Sequence, residues 1–183
     1  MFAVMSVTFS DTVIPTSFLE NALSVRLHFD FGNKDRRMTP DEFEEFCSQN
    51  PRLRSELTKE GDVIIMAPTG FGSSETNSEI VYQLKAWAKK DRTGTVTESN
   101  GAYVLPSGAA FAPDAAWTLN ERLEGFTREE RRKFLHLSPD FVIELLSPSD
   151  SLIELEAKMV EWIENGVRLA WLIDPYKKRV HIY

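Results

Sequence analysis

Glu144 stands in the run Phe141-Val142-Ile143-Glu144-Leu145-Leu146, which is otherwise apolar on both faces of a strand. A carboxylate inside a buried strand is costly unless it is paired or coordinates a cation. Glu144 therefore either pairs with an arginine or reaches water at the strand end, or it serves a cation site. Asp114 follows Pro113 in Ala112-Pro113-Asp114-Ala115-Ala116-Trp117, where proline confines the strand to an edge or an irregular entry. A lone Pro-Asp is ordinarily a turn. Two carboxylates on neighbouring strands would instead make a hard, oxygen-rich site suited to Mg2+ or Mn2+.

Lys158 lies in Leu155-Glu156-Ala157-Lys158-Met159, at the border of an apolar stripe formed by Leu152, Leu155, Met159, Trp162 and Ile163. It could cover the seam with its aliphatic stem or pair with Glu154 one helical turn away. Chain lengths suggest a third role. From Glu144 to the strand end near Pro148 is about 13 Å at the strand rise. From Asp150 to Lys158 is about 12 Å at the helical rise. A helix folding back antiparallel on its strand would bring the ammonium level with the carboxylate.

The elements that must position these groups follow from periodicity. Leu23, Val25, Leu27, Phe29 and Phe31 alternate with polar residues, predicting a strand ended by Gly32-Asn33 that packs on the main sheet. Thr39-Pro40-Asp41-Glu42 has the residues of a capping box, with Met38 and Phe43 at the staple positions, so a short helix is predicted over Pro40–Ser48. Leu53–Leu57 and Asp62–Met66 read as a hairpin, followed by a Pro/Gly/Ser-rich loop from Ala67 to Ser74 and an amphipathic helix over Ser74–Lys90. Thr95–Glu98, Ala102–Leu105 and Phe111–Leu119 are strand candidates, and Thr127–Glu130 opens a second boxed helix running to His136. Beyond Phe141–Leu146, Ser149 or Asp150 caps a helix to Asn165, Gly166 ends it, and Leu169–Ile173 and Arg179–Tyr183 close the chain as strands. Doubly apolar strands interleaved with helices imply a sheet covered on both faces. The expected class is α/β (or α+β) with a mixed central β-sheet flanked by helices.

Composition narrows the function classes. At 183 residues, 42% hydrophobic and 27% charged, the chain has room for one sizeable core and is not compositionally disordered. A single cysteine, Cys47, excludes an intramolecular disulfide and a Cys-rich zinc module. No apolar stretch approaches the roughly 20 residues of a membrane helix, and no secretory signal opens the chain. A soluble cytoplasmic protein without membrane contact is expected. The net charge of −7 disfavours non-specific phosphate binding, although bound cations would supply the attraction to a nucleic acid. His28, His136 and His181 are far apart and lack metal spacing, no hydrolase triad surrounds Ser73 or Ser74, and Gly70-Phe71-Gly72 lacks the phosphate-loop pattern. The basic cluster Arg128, Arg131, Arg132 and Lys133 is interleaved with Glu129 and Glu130, as on a solvated helix face.

Several segments together resemble one known family. They are Asn50-Pro51-Arg52-Leu53-Arg54, Ile65-Met66-Ala67-Pro68-Thr69-Gly70, Ala112–Trp117, Pro139–Leu145, Ala157-Lys158-Met159 and Trp171-Leu172-Ile173-Asp174-Pro175. In that order they are similar to the "putative restriction endonuclease" family of short bacterial proteins, abundant in cyanobacteria, within the PD-(D/E)XK nuclease superfamily. The resemblance implies a restriction-endonuclease-like core in which two acids hold Mg2+ and a lysine assists. Asp114 matches the acid of the Pro-Asp motif and Glu144 the second acid. The usual superfamily lysine, two residues after that acid, is replaced here by Leu146, and the family is similar in moving its lysine to the next helix, at Lys158. Glu56 aligns with a family glutamate that would complete the metal site. Asn77 falls where many relatives carry histidine. Asp140 and Asp174 read better as loop or cap residues.

The expected organisation is an N-terminal extension, residues 1–37, with one predicted strand, and a nuclease-like domain over residues 38–183. Relatives usually continue past the position of Tyr183 with another strand pair and a short tail, so the chain reads either as a shortened member or as a piece of a longer one. The function so implied is a Mg2+-dependent DNA endonuclease with Asp114, Glu144 and Lys158 catalytic and Glu56 a further metal ligand; two-strand cleavage would favour a homodimer. An inactive nuclease fold serving binding or assembly is the alternative, and a hydrolase of RNA or small phosphoesters a third.

Overall fold

The alternation that begins at Ser24 forms a strand. In the computed structural model, which describes residues 24–29, 31 and 36–183, it is β1 (Ser24–Leu27). The expected start at Leu23 and the Gly32-Asn33 stop lie outside the described residues. Next comes α1 (Pro40–Gln49), where the Thr39 side chain accepts from the Glu42 N–H and the Glu42 carboxylate accepts from the Thr39 N–H at 3.0 Å. Both halves of the capping box are therefore made. Phe43 at the staple position is 1% exposed and packs with Met38, Leu57 and Val63.

The early hairpin is β2 (Arg54–Leu57) and β3 (Val63–Met66), paired antiparallel with Leu57 opposite Val63. The helix that follows, α2 (Phe71–Asp91), starts three residues earlier than the periodicity suggested. Gly70 is its N-cap and offers no side-chain hydrogen bond, so the usual start signal is missing. Then come β4 (Gly94–Glu98), β5 (Tyr103–Val104), β6 (Ala110–Phe111) and β7 (Ala115–Leu119). The strand expected over Phe111–Leu119 is thus split, and Pro113, which has no N–H to give a ladder, lies in the break.

A short helix α3 (Asn120–Leu123) follows β7. The boxed helix expected to reach His136 is overturned: only a single 3-10 turn forms, at Glu130–Arg132. Its Thr127–Glu130 contacts are made, but the chain then straightens. Phe134 packs into the Phe43 cluster, and Leu135 exchanges backbone hydrogen bonds with Ala102 and Val104. Tertiary burial of these two side chains outweighs local helix propensity. The remaining elements are β8 (Phe141–Leu145), α4 (Leu152–Glu164), β9 (Leu169–Asp174) and β10 (Arg179–Ile182). Ser151, rather than Ser149 or Asp150, caps α4 by accepting from the Glu154 N–H; the Asp150 carboxylate accepts from the Ser147 N–H instead. Gly166 ends this segment with a φ of +97°, where glycine carries no Cβ penalty.

The strands form two sheets, ordered β1-β3-β2-β6-β5 and β10-β9-β8-β7-β4. The second is the expected mixed central sheet, with β8 and β9 parallel and its other pairs antiparallel. Helices cover both its faces: α4 packs over Ala116 and Val142, and α2 over Ala115 and Ile143. β1 joins the other sheet through β3, not the central one as expected, because its alternating face meets the hairpin and the Phe43 cluster. Among the described residues no helix is long and apolar enough to cross a membrane.

Candidate active site

Side-chain alternation along three strands aims four charged residues at one place. Val142 and Glu144 share a face of β8, and Val142 packs beneath α4. Asp114, just before β7, has the parity of Ala116, which also faces α4. On β2, Arg54 and Glu56 take the face opposite Leu57, whose side chain fills the Phe43 cluster. From above, α4 presents Lys158 and Trp162 one turn apart.

These groups meet. Lys158 Nζ lies 2.8 Å from Glu144 Oε1 and 2.8 Å from Glu56 Oε1. Trp162 donates Nε1–H to the same Glu144 oxygen at 3.1 Å, and the Ala112 N–H donates to Glu56 Oε1 at 3.0 Å. Asp114 Oδ2 accepts from the Leu145 N–H at 2.9 Å, just past the last paired residues of β7 and β8. Asp114 Oδ1 is 3.6 Å from an Arg54 guanidinium nitrogen. The Lys158 ammonium also stands 5.3 Å from the centre of the Phe111 ring, which meets Trp162 edge-on. The fold-back arithmetic for Glu144 and Lys158 is therefore realised: among the described residues Glu144 has no arginine partner, and Lys158 turns its ammonium inward to the two carboxylates.

Burial dominates the electrostatics. Withdrawal from water pushes the Glu144 carboxyl up to about 7; the Lys158 ammonium counters this, while Asp114 and Glu56 add to it. Burial likewise raises Asp114, against the Leu145 N–H, Lys158 and Arg54. Burial alone would depress Lys158, but Glu144 and Glu56 together hold it above the ordinary lysine range. Lys158 is thus kept as an ammonium. The four acidic and basic groups around it leave negative charge in excess, since among the described residues Glu56, Asp114 and Glu144 face only Lys158 and Arg54.

The site opens into a groove of about 1690 Å³, whose described lining includes Asn77 and Tyr176. Eight carboxylates line it against four cations. Asn77 brings a buried Oδ1 with no hydrogen-bond partner among the described residues. Asp140 and Asp174 behave as expected of structural acids. Asp140 accepts from the Leu119 N–H at 2.9 Å and pairs with Arg122, and Asp174 accepts from the N–H groups of Tyr176 and Lys177 in the turn after β9. His28 is bonded to Asp62, and His181 lies 3.8 Å from Glu156. The sequence reading missed two residues, Arg54 and Trp162. Arg54 has the parity of Glu56 on the same strand, and Trp162 is one turn beyond Lys158; those spacings were the available signals.

Among the described residues no three His, Cys, Asp or Glu side chains surround a common point closely enough to hold a metal ion. The donor set nonetheless fits a hard divalent cation in its chemistry. Glu56 Oε2 and Glu144 Oε2 have no hydrogen-bond partner among the described residues, Asp114 Oδ1 has only the distant Arg54, and the carboxylates are under-compensated.

A family model described as "Uma2: Putative restriction endonuclease" matches residues 40–183. The fold is similar to the crystal structure of "a putative nuclease belonging to DUF820" from Anabaena variabilis ATCC 29413, with a TM-score of 0.67 and 23% identity over 80% of this chain and 79% of that one. No curated protein matches the chain.

Proposed function

The chain belongs to the Uma2 "putative restriction endonuclease" family, and from that premise we propose that it is a divalent-metal-dependent DNA endonuclease whose site is built from Asp114, Glu144, Lys158 and Glu56. The observation that carries this is the convergence of Glu56 and Glu144 on one ammonium, 2.8 Å from each, with Asp114 beside them. Asp114, Glu144 and Glu56 would hold Mg2+ or Mn2+ through their remaining oxygens. Such a cation supplies Lewis-acid polarisation of a phosphodiester and a water acidic enough to attack it.

The chain's own residues do the rest. Lys158, held charged by its two carboxylates, offsets negative charge gathering on the phosphate rather than accepting a proton. Trp162 and the Ala112 N–H fix which oxygens of Glu144 and Glu56 face inward. The acidic lining makes entry of a polyanion depend on cations, so DNA binding and cleavage are coupled to the metal. Cutting both strands of a duplex would take two such sites, hence a homodimer. We take the catalytic unit to begin near residue 38, a reading supported by a family match that starts at residue 40.

The test is plasmid cleavage with Mg2+ or Mn2+. Wild-type protein nicks or cuts, and Asp114→Ala and Lys158→Ala abolish the activity; cleavage undiminished in both variants would overturn the assignment. Calorimetric Mn2+ titration separates the binding-module reading, which is favoured by the spacing of these side chains, no three of which among the described residues are placed to share one ion: a module without chemistry shows no heat that depends on Glu144.

A further inference from the structure

Arg54 has the loosest pairing of the groups at this site. Its guanidinium stands 3.6 Å from Asp114 Oδ1, beyond hydrogen-bond reach, and Asp114 directs its better-bonded oxygen to the Leu145 N–H instead. Its Nε–H is buried without a partner among the described residues, so that donor is desolvated and unused. Yet the side chain is about one-third exposed and lines the groove, two residues from Glu56 on the same face of β2. Lys158, by contrast, is committed to two carboxylates.

A cation with spare donors, facing a groove and held only loosely by an acid, is built to exchange partners. We propose that Arg54 binds a phosphate of the nucleic-acid backbone, leaving Asp114 when a divalent cation takes that carboxylate. The inference rests on the nuclease reading above and deepens it. In the metal-free state Arg54 partly compensates Asp114. With the cation bound, that role lapses, and the planar fork is released to give a phosphate two parallel hydrogen bonds. No covalent step is involved.

The prediction has opposite signs for the two ligands, which a merely structural arginine would not produce. Arg54→Gln and Arg54→Lys are purified, and their folding is checked by circular dichroism and thermal melting. Mn2+ affinity is read by calorimetry without DNA. Affinity for a short labelled duplex is read by fluorescence anisotropy in Ca2+ across a NaCl series, with the duplex checked on a gel. Arg54→Gln is expected to bind Mn2+ severalfold more tightly, because a competing charge on Asp114 is gone. The same variant should bind DNA roughly tenfold more weakly, with a salt slope shallower by about one phosphate contact. Arg54→Lys keeps the slope while losing part of the affinity.

Unchanged DNA affinity and slope in Arg54→Gln, beside a wild type that binds Mn2+ and cuts DNA, overturns this inference alone. A joint loss of Mn2+ and DNA binding assigns Arg54 to the scaffold and also overturns it. A wild type that binds neither Mn2+ nor DNA removes the nuclease reading and this proposal with it.

Discussion

Lys158 Nζ and Glu144 Oε1 are 2.8 Å apart, one on a helix and the other on the strand over which that helix folds back. The same ammonium holds Glu56 from the other sheet, so a single cation compensates two buried acids. Replacing it with an uncharged side chain of similar length strands both. Lys158→Met should lower the stability of the metal-free protein by about 3 kcal/mol near neutral pH, the usual cost of breaking a buried ion pair by removing one partner. The deficit should shrink in acid, where the carboxylates are neutral. Urea melts at several pH values check this, and Mn2+ should raise the melting temperature of the variant more than that of the wild type.

Glu144 sets the pH dependence. Its folded-state pKa of about 7 lies above the unfolded value, which is about 4.3. Between those values the folded chain holds the extra proton, so this group's contribution to stability is fully present below the unfolded value and is lost as pH rises through about 7. Glu144→Gln should flatten that decline in urea midpoints. A cation that needs the carboxylate ionised must expel the proton, so Mn2+ binding should release on the order of one proton near pH 6 and far less near pH 8. Titration in buffers of different ionisation enthalpy measures the release, and the glutamine variant should lose it.

Trp162 is fully buried and donates to the Glu144 oxygen that Lys158 also contacts. Trp162→Phe keeps an aromatic ring in the packing and deletes the donor. A hydrogen bond to a charged group is worth about 1.5–3 kcal/mol, which sets the expected loss of stability. Because the ring orients a proposed ligand, Mn2+ affinity should fall by roughly tenfold to a hundredfold. Equal Mn2+ affinity in the two proteins would leave Trp162 as packing only.

Thr39 provides a contrast away from the site. Its capping box closes α1 at the edge of the Phe43 cluster. Thr39→Ala should cost about 1 kcal/mol in thermal or urea unfolding and leave cleavage per folded molecule unchanged.

The chain displays its local rules more openly than its long-range ones. Glu144 and Lys158 could be matched because one strand and the following helix connect them, and both rises are constants of the backbone. The Thr39 box was legible because all its parts lie within four residues. Arg54 and Trp162 escaped notice because each fits its own element without a functional role: a polar residue alternating on a strand, and a large ring on an apolar stripe. What Arg54 touches is set by β2 and β6 meeting through a single pair, Leu57 and Ala110, which no local pattern announces; Trp162 reaches Glu144 by the same fold-back as Lys158, one turn farther along the helix. The segment after Thr127 misled for the same reason. Its cap signature is real, but Phe134 and Leu135 are claimed by partners distant in sequence. Division of the strands into two sheets also turns on the interruption at Ala112-Pro113-Asp114, where a continuous apolar run had suggested one strand.

That interruption is also where the backbone passes from one layer to the other, with β6 on the near side and β7 on the far side. Asp114 sits at the crossing, Glu56 belongs wholly to the layer being left, and Glu144 to the layer being entered. Chemistry here therefore doubles as a gauge of docking. A substitution that merely lets the layers slip, at Tyr103 for instance, whose ring shares a cluster with Ala116 and Val142 of the other sheet, would disperse these carboxylates without touching a charged atom, long before either layer came apart.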